Sequence, residues 1–303
     1  MRNINARRKL VENEGHIHAV KRGLRGRWHL ENMPRLIRTI KALLRISPFY
    51  TRGHENALDV QVEQVEFVFD NLPAAFDGTR ILFVADPHID ELQDLPDKIL
   101  SIAAELEYDF CILGGDYNFG YRQESGLAYL QMQQVAEKLL HRSRVFGILG
   151  NHDRFRMAER LQQCGVEMLL NENVCIEKDG CRIYICGIDD CHYYGADDIK
   201  LAADGIDNGH FKIMLSHSPE KYRQAGQANF SLFLAGHTHG GQVCLPGGTA
   251  VVTCATVPRK LLKGKWRYNG MAGYTSRGAG ASGIAVRFFC PPEITVITLK
   301  KNQ

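Results

Sequence analysis

Five short motifs in this 303-residue sequence carry side chains suited to hard divalent cations: Asp86-Pro87-His88, Gly115-Asp116, Gly150-Asn151-His152-Asp153, Ser216-His217 and Gly236-His237-Thr238-His239. Each follows an apolar run. Carboxylates, an amide oxygen and imidazoles delivered by strand ends can hold two cations about 3.5 to 4 Å apart, a spacing suited to phosphoester cleavage. Such a pair would supply a water activated near neutral pH and would neutralise the charge that gathers on the phosphoryl oxygens. Taken singly the motifs are weak. A lone Asp-x-His is common, a Gly-Asp is usually a turn, and Ser216-His217-Ser218-Pro219 reads equally well as a strand passing into a turn. Their ordered succession after apolar runs is what carries the metal reading.

The elements that must position these residues follow from periodicity. Ile81-Leu82-Phe83-Val84, Phe110-Cys111-Ile112-Leu113 and Val145-Phe146-Gly147-Ile148-Leu149 read as buried strands. Helical spacing follows each of them, over residues 91–108, 125–141 and 154–164. These βα repeats predict a partly parallel sheet with the site at carboxyl-terminal strand ends. Further along, Cys175-Ile176, 182–186, 211–215, 232–234, 284–289 and 294–299 read mostly as strands. A second sheet follows, and two mixed sheets face to face with helices outside make a four-layer αββα sandwich of the α/β class.

Composition narrows the class. A hydrophobic content of 45% suits a globular chain with a large core. No run of 18 apolar residues predicts a spanning helix, and the polar, basic start does not read as a secretory signal. The nine cysteines contain no Cys-x-x-Cys pair and many sit in apolar runs, which predicts reduced, buried thiols in a cytoplasmic protein. The net charge of +3 hides a division: residues 1–50 hold 12 Lys or Arg against 3 Glu, leaving the rest of the chain acidic. We therefore divide the chain into a basic arm over 1–50 and a catalytic domain over 51–303.

Within that arm, residues 33–45 have helical periodicity, with Met33, Ile37, Ile40 and Leu44 on one face and Arg35, Arg38, Lys41 and Arg45 on the other. Such a helix can lie in an anionic membrane interface or pack on the domain with its cations solvated. Nucleic acid is not expected, because no recognisable binding module accompanies the charge. The string Gly278-Ala279-Gly280-Ala281-Ser282-Gly283 is not read as a dinucleotide loop, since it precedes a strand instead of opening a helix after one.

The complete order Asp-x-His, Gly-Asp, Gly-Asn-His-Asp, His, Gly-His-x-His from residue 86 to residue 239 resembles the calcineurin-like metallophosphoesterase superfamily. The stretches Tyr274-Thr275-Ser276-Arg277-Gly278 and 286–294 look like the bacterial branch that includes YkuE-like and YaeI-like phosphodiesterases. The resemblance implies that Asp86, His88 and His239 hold one cation and Asn151, His217 and His237 the other, with Asp116 shared between them. Mixed nitrogen and oxygen donors without thiolate suit Mn, Fe or Zn better than Ca or Mg. It also implies that His152 protonates or stabilises the departing oxygen. Asp153 is expected to orient that imidazole or to cap the helix after it.

The expected reaction is hydrolysis of a phosphodiester or pyrophosphate. The cationic arm points to a substrate at a membrane surface, and within the resembled group lipid-linked substrates such as a UDP-diacylglucosamine occur. Relatives of this branch often carry an N-terminal transmembrane or export segment and this sequence shows none, so any membrane relation is expected to be peripheral, on the inner face. The alternatives are a phosphatase or phosphodiesterase of soluble nucleotides, and a non-catalytic binding scaffold, which would usually show a gap in the ligand set. Residues 254–275, with Arg259, Lys260, Lys263, Lys265, Trp266, Arg267 and Tyr268, are expected to be a cationic lip over the site or a plain surface loop.

Overall fold

Two six-stranded sheets dominate the computed structural model, which describes residues 6–14, 47–120 and 125–302. The amphipathic segment 33–45 lies outside the described residues. In chain order the elements are α1 (Ala6–Glu14), α2 (Pro48–Leu58), β1 (Gln61–Phe69), β2 (Arg80–Val84), α3 (Leu95–Glu105), β3 (Phe110–Leu113), α4 (Gly126–Leu140), β4 (Arg144–Gly147), α5 (Phe155–Cys164), β5 (Glu167–Met168), β6 (Glu172–Lys178) and β7 (Cys181–Gly187). They continue with α6 (Ile199–Ala202), β8 (Phe211–Leu215), α7 (Tyr222–Gln227), β9 (Leu232–Ala235), β10 (Gly264–Tyr268), β11 (Met271–Thr275) and β12 (Glu293–Lys301).

The first sheet runs β1-β12-β2-β3-β4-β5 and the second β10-β11-β9-β8-β7-β6. Both are mixed. β2, β3, β4 and β5 are parallel neighbours, with Ile81 opposite Phe110 and Phe110 opposite Arg144, while β12 runs antiparallel to β2. In the second sheet β7, β8, β9 and β11 are parallel, and β6 and β10 are antiparallel edges. Strands covered on both faces have near-continuous apolar sequences, and β2, β3, β8 and β9 are buried at almost every position for that reason.

The layers follow from three apolar clusters. Phe83, Ile112 and Phe146 of the first sheet meet Ile185, Phe211 and Leu234 of the second to make the central core. The outer face of the first sheet packs Leu82, Cys111 and Val145 against Ile99 of α3, Met132 and Val135 of α4 and Leu161 of α5. The outer face of the second buries Met214 and Phe233 against Ala202 of α6, Ala225 of α7 and Trp266. The chain is an αββα sandwich. Among the described residues no helix is long and apolar enough to cross a membrane.

Two expectations are corrected. Residues 284–289 form no strand, only an isolated bridge between Val243 and Phe288. The cause is Arg287, whose buried guanidinium donates to Gly280 O, His239 O and Cys290 O, so the segment curls around it. Residues 264–275 are neither lip nor plain loop. They are the β10–β11 hairpin at the edge of the second sheet, with Trp266 buried on Phe233 at a ring separation of 5.5 Å. Lys265, Arg267 and Tyr268 therefore belong to a sheet edge. The nine cysteines are free thiols, of which Cys111, Cys186, Cys191, Cys244 and Cys290 are buried, while Cys175 is exposed.

Candidate metal centre

Asp86 and His88 follow β2, Asp116 follows β3, and Asn151, His152 and Asp153 follow β4; His217 follows β8, and His237 and His239 follow β9. Parallel strands deliver their carboxyl ends to one edge, so the loops of two facing sheets converge there. All nine residues are buried. Turning so many polar side chains inward requires unusual backbone. Asp86, His88, Asp116, His237 and His239 have φ of 50°, 39°, 55°, 67° and 49°, the left-handed region that costs of order 1 kcal/mol or more per residue outside glycine.

Hydrogen bonds between loops hold that strain. Asp86 N donates to Gly115 O and His88 N to Asp116 O, both at 3.0 Å. The Asp86 carboxylate accepts from His237 N at 2.8 and 3.0 Å, tying the two sheets together. Close approach also demands glycine: a Cβ on Gly150 would collide with the Asp116 carboxylate, and one on Gly236 with that of Asp86.

Nine donors do not form one undivided cluster. Asp86, His88 and His239 offer ligand atoms to one another, as do Asp116, His217 and His237, while Asp116 also faces His88 and His152. His88 Nε2 lies 3.2 Å from His239 Nε2 and 3.7 Å from Asp116 Oδ2. His217 Nε2 lies 3.2 Å from the same Asp116 oxygen and 3.1 Å from Asn151 Oδ1. Asp116 is thus the carboxylate that both groups share.

Backbone carbonyls orient two of the imidazoles. His88 Nδ1 faces Asn118 O at 3.0 Å and His217 Nδ1 faces Gly114 O at 2.9 Å. A carbonyl oxygen only accepts, so each Nδ1 carries the proton and Nε2 points inward. Burial, with His152 nearby, pushes His88 down to about 3 and keeps it neutral. Burial, with His88 and Arg287 beside it, likewise holds His239 well below the usual imidazole range. The two carboxyls diverge. Burial, together with the charge of Asp116 and against the pull of His217, raises Asp86 to about 7. Burial opposes ionisation of Asp116 too, but His217, His152 and His88 around it hold its carboxyl well below the usual range. His217 answers in kind: burial would lower it, yet Asp116 and Asp86 carry it up to about 10. A concentrated anion facing imidazole nitrogens and an amide oxygen, with no thiolate, fits a pair of borderline divalent cations.

His152 is bonded much as His88 is. Its backbone N donates to Asp116 Oδ1 at 2.8 Å, and its Nδ1 donates to Phe119 O at 2.7 Å. That leaves Nε2 directed toward Asp116 Oδ2, 3.8 Å away. Asp153 is not the residue that caps α5. Its carboxylate accepts from the backbone N–H groups of Asp116, Tyr117, Asn118 and Gly150 at 2.7 to 3.2 Å, and Arg154 is the residue preceding α5. It is a buckle joining the β3 and β4 loops.

Three residues escaped sequence reasoning. His192 packs its ring 4.2 Å from that of His237, and its Nδ1 meets Glu220 Oε2 at 3.1 Å. Burial would raise Glu220, yet the bond to His192 holds it down at about 2. Arg287 lies behind His239, with Nη2 3.2 Å from its Nδ1. His192 and Glu220 do follow strands β7 and β8, a legible signal, whereas Arg287 sits in a segment that reads as a strand.

Comparison with known proteins agrees with this geometry. The calcineurin-like phosphoesterase family pattern matches residues 79–241, more than half of the chain. The metallophosphoesterase YkoQ of Bacillus subtilis (strain 168) is 28% identical over 264 residues, covering 84% of this chain and 96% of its own. YkuE of the same organism is 29% identical, covering 77% and 82%. Phosphodiesterase YaeI of Escherichia coli (strain K12) is 26% identical, covering 73% and 82%. A hydrolytic enzyme dependent on divalent metal is what this pattern denotes, and the chain belongs to the calcineurin-like phosphoesterase family, in the branch of YkuE and YaeI.

Proposed function

We propose that this enzyme hydrolyses a phosphodiester or pyrophosphate, of a membrane-lipid precursor presented at an anionic surface. The observation that carries the hydrolytic half is Asp116, one anionic carboxylate within 3.2 to 3.8 Å of His217, His88 and His152. Asp86, His88 and His239 would hold one cation and Asn151, His217 and His237 the second, with Asp116 shared. Two cations there supply an activated water and charge neutralisation for the phosphoryl group. The donor set favours Mn, Fe or Zn.

The chain's own residues do the remainder. His152 is the acid: with Nδ1 committed to Phe119 O, its Nε2 is the atom that hands a proton to the leaving oxygen. Asp153 keeps His152 and Asn151 in place by locking their loop to that of Asp116. The lipid half rests on the basic arm of residues 1–50, and we assign the enzyme to the inner membrane face on the same ground. The catalytic domain comprises residues 51–303, with α1 of the arm packed on it through Arg8. The name of YaeI as a phosphodiesterase supports a diester over a monoester.

Elemental analysis of dialysed protein tests the assignment. Two transition-metal ions per chain are expected, and Asp116→Asn should lower occupancy at both positions; a single ion at full occupancy would overturn the paired site. Activity on UDP-diacylglucosamine, phospholipids and nucleotides, compared side by side, then decides the substrate. Faster turnover of a soluble nucleotide would remove the lipid assignment.

A further inference from the structure

Beyond His239 the chain leaves the site as a short tongue. Cys244 bridges to Ala250 and Val243 to Phe288, and Leu245 N donates to Thr249 O at 2.9 Å to close the turn. One side of the tongue is anchored. Cys244 and Ala250 are buried with Leu262 and Cys290, Lys263 Nζ donates to Gly248 O at 2.7 Å, and Arg259 Nη1 donates to Ala250 O at 3.1 Å. The tongue also shares the turn of the site, since the Cys244 and Cys290 thiols lie against Gly240 O and His239 O.

The other side is apolar and bare. Leu245, Val251, Val252 and the adjoining Phe289 are 57%, 54%, 42% and 58% exposed. Single exposed aliphatics are ordinary on any surface, but several on one small projection are not. Its charge is equally one-sided. From Glu220 to Glu293 the sequence contains no intervening Asp or Glu, while Arg259 and Lys260 are exposed and Lys263 half-buried at the base of the tongue. An apolar tip with a cationic collar, built from a stretch of sequence without an acid, matches an interface in which acyl chains lie beneath anionic headgroups.

We propose that residues 243–252 with Phe289, collared by Arg259, Lys260 and Lys263, dock the enzyme on an anionic lipid surface and set the His239 side of the site against it. That the docked site acts on phosphoesters in the surface rests on the hydrolytic reading above; the docking itself does not.

Flotation of the full metal-loaded chain with vesicles tests it. Wild type should float with vesicles of equal parts phosphatidylcholine and phosphatidylglycerol, should leave them at high salt, and should bind phosphatidylcholine alone far less. The Leu245→Asn, Val251→Asn pair should lower binding at least about tenfold, because two exposed side chains no longer enter the interface. Arg259→Gln with Lys260→Gln should lower it about tenfold on the anionic vesicles only. Retention of wild-type binding by both variants would overturn the proposal and leave the basic arm as the lipid contact. Failure of wild type to float would also overturn it and direct the search to a protein partner. Hydrolysis of bis-p-nitrophenyl phosphate by the same preparations reads the hydrolytic assignment separately: both variants should keep it, and its absence from wild type would sink the hydrolase while leaving the docking result standing.

Discussion

Three imidazoles of this site share one bonding pattern. His88, His217 and His152 each donate Nδ1–H to a backbone carbonyl and turn Nε2 toward Asp116; on the proposed reading the first two would hold cations and His152 would act as the acid. His152→Ala should therefore leave metal content unchanged while lowering turnover of an unactivated diester by ~10² to 10⁴. On bis-p-nitrophenyl phosphate the loss should be much smaller, because that leaving group scarcely needs a proton. Equal losses on the two esters would take His152 out of the acid role. Glu220 makes a different prediction, about stability. Its folded value of about 2 lies below its ordinary 4.5, so its contribution is fully present above pH 4.5 and is lost as pH falls toward 2. The gap corresponds to at most about 3 kcal/mol for a largely buried group. Denaturant melts of wild type and Glu220→Gln between pH 3 and 7 should converge at the acid end; parallel curves would show that the Glu220 and His192 bond contributes nothing there.

At the scale of elements, the first helix has a use that its charge conceals. Arg8 of α1 is completely buried, with Nε 2.8 and 2.9 Å from the two oxygens of Asp189, Nη1 2.9 Å from Asp153 O, and its guanidinium 4.0 Å from the centre of the Tyr194 ring. Glu12 of the same helix accepts from Phe155 N at the start of α5. Nine residues of basic, polar sequence thus staple the loop that carries His152 and Asp153 to the loop that carries His192. Removing one partner of a buried ion pair leaves the other charge uncompensated and typically costs about 3 to 5 kcal/mol. Arg8→Ala should lower the melting temperature and should speed amide exchange at residues 153–155 and 189–194. Unchanged exchange in those loops would reduce α1 to a solvated appendage.

In the whole molecule, the site joins the two sheets. Asp86, Asp116 and Asn151 come from strand ends of the first and His217, His237 and His239 from those of the second, and the backbone of His237 already donates to Asp86 across the boundary. Cations bound there would act on the native state alone. Saturating Mn or Zn at a hundredfold excess over the dissociation constant should stabilise by about 2.7 kcal/mol per site. A chelator should lower the melting temperature in a concentration-dependent way, read by calorimetry, and a melting curve indifferent to chelator and metal would argue against a site that spans both sheets.

Much of this was legible in residue order alone. Alternating apolar runs and helical spacing predict both sheets and the four layers, because burial on two faces leaves a continuous apolar signature in β2, β3, β8 and β9. The five motifs could be read because a ligand must stand at a strand's end, next to glycines that admit a neighbour's carboxylate. Other assignments depended on contacts across long separations. Asp153 reads as a partner for the adjacent imidazole, but its oxygens meet the backbone of Asp116, Tyr117 and Asn118, some 35 to 37 positions away. Arg8 reads as one more solvated cation until Asp189, 181 positions later, closes on it. Segment 284–289 alternates like a strand, yet the carbonyls that surround Arg287 belong to loops at 239 and 277–280. Local pattern determines which surfaces must be buried; which charge lies opposite which is settled only when the folded chain brings distant loops to one edge of the sheets.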